Sequence, residues 1–463
     1  MILDKATDLF PVWLRKILMP VFMIASLICL FLVRYSPDGI LKITWLYAMF
    51  VCIMFLVVLY KNSLNVYEIT IFCFLGIQLL AVVPDPGNLR GATVSISYLL
   101  SYRYGVSSRS LIATAVDFFT RGGFVSRYFV WHFIFNSTIF LSFVISVYLG
   151  ALIQKTKDAT RYFSIFLSLL WLSCFTTPVT YFFHINFGRT EMFALPILFL
   201  AMVIVRKPVI RWLIPLLAIA IIATHLILVF FYIPFVIILL LYSILENDKK
   251  NKETVFLLIV TLKVILIAFF GYLIFSEDTF VFDNADVFYA YLLERTDLNI
   301  NRDFLHSLMF ASLEDHLVGW RERVNLRFHG NISIFINIPL ITFFIVFWLK
   351  CFFGETKKTM KLFFLMPVLV LLYHAVAFFL FWDFSRWMIM ILNVQFMLLF
   401  YLVSAKNTTV LSLVQRITPT IKRNAFFIAL ACLIMVFLGP MRNIGPSENT
   451  YRIFRILVHM LGL

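Results

Sequence analysis

The chain has 463 residues, of which 62% are hydrophobic and only 14% are charged, and its mean hydropathy is +0.96. A soluble domain carries about 25% charged residues, so this composition excludes a soluble globular protein and predicts a chain that uses lipid as most of its solvent. The formal charge of +15 would suit nucleic acid, but the basic residues are spread over many short loops between apolar runs, so we expect no nucleic-acid partner.

The apolar runs predict an all-α fold, a polytopic transmembrane helix bundle of about 13 spans. A span needs about 20 apolar residues, and fewer when it is packed inside a bundle. We therefore treat residues 1–463 as a single integral membrane domain, with residues 212–245 forming either one kinked helix or two short ones. The predicted spans are residues 17–33, 42–60, 68–84, 128–150, 163–183, 190–205, 212–227, 229–245, 254–275, 333–352, 362–381, 387–403 and 425–440.

Two long loops and the C-terminal tail interrupt this pattern. The first loop, residues 85–127, contains an amphipathic stretch from Ser107 to Arg121 that predicts a helix lying in the membrane interface. The second, residues 276–332, predicts a helical stretch from Arg302 to Leu317 and is long enough to cover a site, although a solvated cap would have the same composition. The tail, residues 441–463, predicts a second interfacial helix, and contact with lipid headgroups explains its basic residues fully.

The basic residues differ in kind between the two sides of the predicted bundle. Short loops on one side carry 15 Lys and 6 Arg, and the opposite side carries 16 Arg and only one Lys, Lys42. The positive-inside rule places the lysine-rich side and the N-terminus in the cytoplasm, so both long loops and the tail lie outside. Arginine binds phosphate or carboxylate with a planar two-pronged fork, which predicts an anionic ligand outside. Lipid headgroups or loop carboxylates are the alternative partners.

Several polar side chains fall near the predicted outer ends of spans. Asp85 directly follows a span. Arg189 and Glu191 share a very short turn. Either they pair with each other, or Arg189 faces a phosphate and Glu191 orients it. His225 interrupts an apolar run and is either a buried structural residue or part of a site. The remaining candidates are Arg103, Arg109, His184, Asp383 and Arg386, of which Asp383 and Arg386 can also pair with each other.

Lys263 lies near the middle of a predicted span. It is too deep to reach the interface easily, so we expect it to face the bundle and a polar partner such as Asn393 or Gln395. A structural hydrogen bond and a proton or ion pathway are both compatible with that position.

Three short runs carry a resemblance to a known group. They are YRYGVSSR from Tyr102 to Arg109, GRTE from Gly188 to Glu191, and DFSRW from Asp383 to Trp387. Together with the many spans and an acidic residue directly after one of them, they resemble membrane-embedded glycosyltransferases of the C-type superfamily (GT-C) and bacterial O-antigen polymerases and ligases. The resemblance implies a bacterial inner membrane protein that moves a sugar or glycan from a polyprenyl-(di)phosphate donor to a glycan acceptor on the periplasmic side.

The resemblance also suggests roles for the candidate residues. Asp85 would be the catalytic base, with Asp383 in reserve. The phosphate would be held by arginines, and further side chains would orient them. The sequence predicts no certain cofactor and does not decide whether a divalent metal takes part. A transporter or flippase of lipid-linked glycans is the alternative function. The expected phosphate ligands are Arg103, Arg109, Arg189 and Arg386, and the orienting residues are Glu191, His225 and His184.

Overall fold

The computed structural model describes residues 9–37, 39–89, 92–174, 182, 187–246, 252–309, 332–380, 384–438, 441–442 and 445–446. Apart from one antiparallel pair, β1 (Met441–Arg442) and β2 (Gly445–Pro446), the regular structure in these residues is helical, so the predicted all-α bundle is confirmed. The α-helices are α1 (Val12–Tyr35), α2 (Ile40–Lys61), α3 (Val66–Val82), α4 (Ala92–Ile96), α5 (Ser110–Thr120), α6 (Arg127–Lys155), α7 (Asp158–Ser173), α8 (Ala194–Ile204), α9 (Ile214–Thr224), α10 (Leu228–Phe231), α11 (Ile233–Glu246), α12 (Lys252–Asp278), α13 (Ala285–Leu293), α14 (Arg302–Met309), α15 (Ile332–Gly354), α16 (Lys358–Leu380), α17 (Phe384–Ser404), α18 (Thr408–Arg423) and α19 (Ala425–Leu438).

The number of membrane spans is smaller than the sequence predicted. In the described part of the chain, seven helices are long and apolar enough to cross a membrane, or eight if α18 and α19, which meet at a bend of 82°, form one span. Each predicted interval holds a helix, but several are only 10–17 residues long, among them α3 and α9. The count of about 13 is therefore not confirmed. The orientation of the chain across the membrane remains a prediction.

The helices divide into a buried centre and an apolar periphery. Of the residues in the span within α17, 94% are buried, and in the span within α6, 67% are, so these two helices lie in the core. In contrast, α1 and α12 expose rows of large apolar side chains. Helices satisfy their own backbone groups, so such exposed apolar faces are stable against lipid.

The two long loops contact each other directly. Val125 and Thr296 form a parallel bridge in which the Val125 N–H donates to the Arg295 carbonyl at 2.8 Å. Farther along, the Val106 N–H donates to Thr279 Oγ1 at 2.9 Å. The described part of the second loop thus lies on the same side of the bundle as the first loop, as the sequence predicted. We call this side the loop end.

The opposite end of the bundle, which we call the lysine end, carries the lysine-rich turns. There α3 begins with a capping box, because Asn65 accepts from the Glu68 N–H while Glu68 accepts from the Asn65 N–H. Gly150 of α6 lies so close to α3 that an added Cβ would stand 2.7 Å from the Glu68 nitrogen. Glycine therefore permits α3 and α6 to approach backbone to backbone.

Two sequence predictions about single elements need correction. The helix predicted from Ser107 begins at Ser110 and packs into the bundle through Ile112 and Val116, so its apolar side is covered by protein. Lys263 is exposed on α12 and does not face the bundle. The expected pairing of Lys263 with Asn393 or Gln395 is therefore wrong. In a span that is apolar all round, the sequence does not tell which face of the helix meets lipid. Asn393 accepts from Trp171 and Gln395 accepts from Trp348.

Candidate functional site

Arg109 lies at the junction of the first long loop and the buried helices. It is the residue before α5, and its side chain is only 7% exposed. Nε donates to His225 Nε2 at 3.2 Å, and Nη1 donates to Ser97 Oγ at 3.3 Å. Ser107 and Ser110 hold the turn around it through a hydroxyl–hydroxyl bond of 2.7 Å. The local sequence thus fixes a cation in a site that is almost closed to solvent.

His225 is presented by a break between two helices. It ends α9 in an extended conformation, and the next turn leads into α10. At the break, the Leu226 N–H donates to the Ser108 carbonyl at 3.0 Å. This hydrogen bond connects the break to the loop that carries Arg109. His225 is buried and hydrogen bonded, which fits both sequence-based alternatives, a buried structural residue and part of a site.

Glu191 completes a row of three groups. Its carboxylate is fully buried, and Oε1 lies 3.0 Å from His225 Nδ1. Because His225 Nε2 accepts from Arg109, the proton of a neutral imidazole is on Nδ1, on the side of the carboxylate. A buried cation, Arg109, and a buried anion, Glu191, are thus joined through the neutral ring of His225. We call these three residues the Arg–His–Glu row.

The turn that carries Glu191 depends on one glycine. Gly188 has φ of +89°, and a Cβ there would lie 2.7 Å from Ile134 Cδ1 and 3.0 Å from Val94 Cγ1. Its carbonyl accepts from the Tyr98 hydroxyl at 2.6 Å. A larger residue would push the turn away from α4 and α6, and Glu191 would move with it.

The hydroxyl of Tyr98 is buried close to Glu191. Burial, and after it the negative charge of Glu191, raises the pKa of the Tyr98 hydroxyl well above its ordinary value. The phenol therefore stays protonated and donates to the Gly188 carbonyl at any physiological pH. Tyr98 and Ser97 were not among the residues proposed from the sequence, because a lone serine and tyrosine in a loop give no signal of their own.

Arg103 does not join the row. Its Nη1 contacts the Gly122 carbonyl at 3.4 Å, beyond the C-terminal end of α5, whereas Arg109 precedes the N-terminal end. Burial raises the pKa of Asp117 on α5, although Arg103 and other arginines nearby lower it. The structure therefore places the two arginines of the YRYGVSSR run in different surroundings.

The remaining predicted site residues lie in different places. Asp85 is exposed in the turn after α3, where its carbonyl accepts from the Asn88 N–H at 2.9 Å. Arg189 is half-buried and directly precedes the short 3-10 helix Thr190–Phe193 that carries Glu191. His184, Asp383 and the side chain of Arg386 lie outside the described residues.

The described residues show no metal centre, since nowhere among them do three His, Cys, Asp or Glu side chains gather closely enough to hold an ion. The row itself offers a fixed guanidinium, which can bind an anion, and a carboxylate that compensates its charge. Comparison with protein-family models, with curated proteins and with solved structures finds no match for this chain.

Proposed function

We propose that the chain is a membrane glycosyltransferase that moves a sugar or glycan from a polyprenyl-(di)phosphate donor to a glycan acceptor. The observation that carries the proposal is the Arg–His–Glu row, a buried guanidinium held by His225 and Glu191 below two contacting loops. A buried arginine fixed at two nitrogens is a preorganised phosphate ligand, because its position is set before any anion arrives.

The reaction suits such a site. The acceptor hydroxyl attacks the anomeric carbon of the donor sugar, the bond from that carbon to the phosphate oxygen breaks, and the lipid phosphate leaves with the bonding electrons. Arg109 would neutralise the charge that develops on this phosphate. The proton of the hydroxyl would pass to a carboxylate, for which Asp85 is the first candidate and Asp383 the second. The protein needs no redox partner for this chemistry.

Aromatic side chains beside Arg109 supply surface for a sugar. Tyr272 of α12 lies near Ser108 and Arg109, and Tyr102 of the same loop as Arg109 is partly exposed. Aromatic rings offer an apolar face with a polar edge, which suits the mixed surface of a sugar. These rings would orient the glycan while Arg109 holds its phosphate.

The direct test is the exchange of Arg109 for lysine. Arg109→Lys keeps the charge but has a single nitrogen in place of the fork that reaches both His225 and Ser97, so we expect transfer to fall about a hundredfold. The assay measures transfer of labelled glycan from a polyprenyl-diphosphate donor in membranes, at equal protein levels. Arg103→Lys is the matched control and should retain near-normal transfer. Equal activity of both variants would contradict the assignment, and normal transfer by Asp85→Asn would remove Asp85 as the base.

The proposed location of the site is the periplasmic side of a bacterial inner membrane. Single cysteines, introduced after the six native ones are replaced, test this with an impermeant reagent. Val281→Cys at the loop end should react from outside, and Val209→Cys in a lysine-end turn should not, since both positions are well exposed. The opposite labelling pattern would place the site in the cytoplasm.

A transporter of lipid-linked glycans is the second candidate. It is favoured by the broken helix at His225, because transporters place unwound segments at their substrate sites. Reconstituted vesicles distinguish the two: a transferase changes the mass of the acceptor glycan, whereas a flippase changes only the side of the membrane on which the labelled lipid is found.

A further inference from the structure

We infer that the chain binds one anionic phospholipid in a groove between α15 and α18 at the lysine end. The groove has a volume of about 350 Å³ and is lined by six residues of α15 and two of α18. Apart from Lys350 and the hydroxyl of Thr342, this lining is apolar. The inference does not depend on the proposed glycosyltransferase activity.

The helix α18 has the properties of a helix that lies along a membrane surface. It meets the apolar helix α19 at a bend of 82°, so it runs nearly perpendicular to that helix. One side is buried through Val410, Val414 and Thr418, and the helix contains basic residues but no acidic one. An amphipathic helix of this kind is stable between headgroups and acyl chains, so the groove beside α18 lies at that depth.

The groove follows one side of α15. Its lining residues recur at intervals of three and one from Pro339 to Lys350, which places them in a single row along the helix. Eleven steps of α-helix span about 16 Å, close to the hydrocarbon thickness of one leaflet, roughly 15 Å. Within this row Val346 is 44% exposed, so protein does not cover the groove wall. The groove therefore has the length and the surface to hold an acyl chain.

The charges of the groove are confined to one end. Lys350 is the charged member of the lining, and it lies four residues before the end of α15. On α18, Arg416 is exposed and directly precedes Ile417 of the lining, three positions after Leu413. A guanidinium and an ammonium at the surface, above an apolar wall, fit a ligand with an anionic head and an apolar chain. The positive-inside rule explains why Lys350 lies on this side, but not why it lies at the mouth of a groove.

The acidic side chains close to these two helices point elsewhere. Glu355 follows α15 and is hydrogen bonded to Thr409 and to two backbone N–H groups of its own turn. Asp158 begins α7, which accepts a hydrogen bond from Thr418. Arg416 is two positions from Thr418, about 200° around the helix, and so lies on nearly the opposite side from α7.

The other acidic residues of the lysine end belong to other parts of the bundle. Asp4, Asp8 and Asp248 lie outside the described residues, next in the chain to α1 and α11. The main packing partner of α1 is α2, and α11 packs against α12 and α16. Three glutamates form ion pairs with a basic residue: Glu68 with Lys61, Glu246 with Arg206 and Glu253 with Arg211.

Native mass spectrometry of the purified full chain with added phosphatidylglycerol tests the inference. We expect the double variant Lys350→Gln and Arg416→Gln to weaken binding of the first lipid at least about tenfold, because both cations are lost. The exchange of Lys350→Arg with Arg416→Lys should keep the affinity within about threefold. The matched control, Lys207→Gln with Lys252→Gln, removes two exposed lysines from other turns of the same end and should change the affinity less than about twofold.

A variant that fills the groove tests the apolar wall separately from the charge. Val346→Trp should weaken binding of the first lipid at least about fivefold. Ile267→Trp, on the exposed side of α12, is its control and should leave the affinity unchanged. Uncharged diacylglycerol of the same chain length should bind at least about tenfold more weakly than phosphatidylglycerol, and soluble glycerol phosphate should not displace the lipid.

The substituted positions Lys350, Arg416 and Val346 are exposed, so we expect the variants to keep the thermal unfolding midpoint of the wild type. A loss of lipid then reports on the groove and not on misfolding. Equal affinity of the wild type, the double glutamine variant and Val346→Trp would overturn the inference, and so would an equal loss in the Lys207 and Lys252 control. Displacement by glycerol phosphate would overturn the assignment to a lipid.

Discussion

The Arg–His–Glu row makes a quantitative prediction about stability. Glu191→Gln removes the anion that compensates Arg109, and Arg109→Met removes the cation that compensates Glu191. The two contacts of 3.2 and 3.0 Å are joined by the imidazole ring. The charged ends therefore lie roughly 8 Å apart, which at an effective dielectric constant of about 20 corresponds to an attraction of about 2 kcal/mol.

Each single variant removes one of the two buried charges of the row and with it the attraction to the other. Because Glu191 is fully buried and Arg109 nearly so, we expect each to lower the free energy of unfolding by about 3–5 kcal/mol. The double variant leaves neither charge, so it should be less destabilised than the sum of the two by about 2 kcal/mol or more. The assay is unfolding of the purified protein in mixed micelles with increasing SDS, followed by intrinsic fluorescence.

An exposed ion pair provides the control. Arg127 and Asp297 approach within 3.6 Å but are about half exposed, so the same double-mutant cycle should give less than about 1 kcal/mol of coupling. Additive effects at Arg109 and Glu191, or single variants as stable as the wild type, would show that the row is not a coupled charge pair.

Two further predictions concern the lysine end. Gly150→Ala should lower the thermal unfolding midpoint, with a cost of more than about 2 kcal/mol, because the added Cβ meets the Glu68 backbone. Gly271→Ala, with open space around Gly271, should not lower it. Equal midpoints of the two variants would contradict the close approach of α3 and α6. Burial alone would raise the pKa of Glu355, but hydrogen bonds from Thr409 and from two backbone N–H groups lower it below its ordinary value. Its contribution to stability is therefore present above the unfolded-state pKa and is lost as the pH falls through the lower folded-state pKa. Thr409→Val should raise the folded-state pKa toward the unfolded-state value, so the loss should be smaller and complete at a higher pH in unfolding midpoints recorded from about pH 3 to 6. An unchanged pH profile would exclude the Thr409 contact as a cause.

The sequence predicted the helices well because apolar runs report lipid exposure or burial directly. It also predicted that the two long loops lie on one side of the bundle, since helix parity and the Lys/Arg asymmetry both placed them there, but not that they contact each other. It did not identify α18, although Val410, Val414 and Thr418 are buried at a spacing of four residues, as in an amphipathic helix. Its polar, basic composition made that segment resemble a loop.

The site was predicted in part. Arg109, Glu191 and His225 were each chosen from the sequence, but their contact depends on tertiary structure that brings residues 109, 191 and 225 together. A local pattern does not contain that information. Lys263 shows the same limit, because hydropathy identified its span but not the side of the helix that meets lipid.

The break between α9 and α10 has a consequence for how the protein is made. A backbone N–H left over in an apolar setting costs several kcal/mol unless it finds an acceptor, and the Leu226 N–H finds one in Ser108. The ribosome produces Ser108 more than a hundred residues before Leu226, so the acceptor has already left the ribosome when the donor emerges. The acceptor for the broken helix is therefore synthesised before the break itself, and the hydrogen bond forms only once both segments are present.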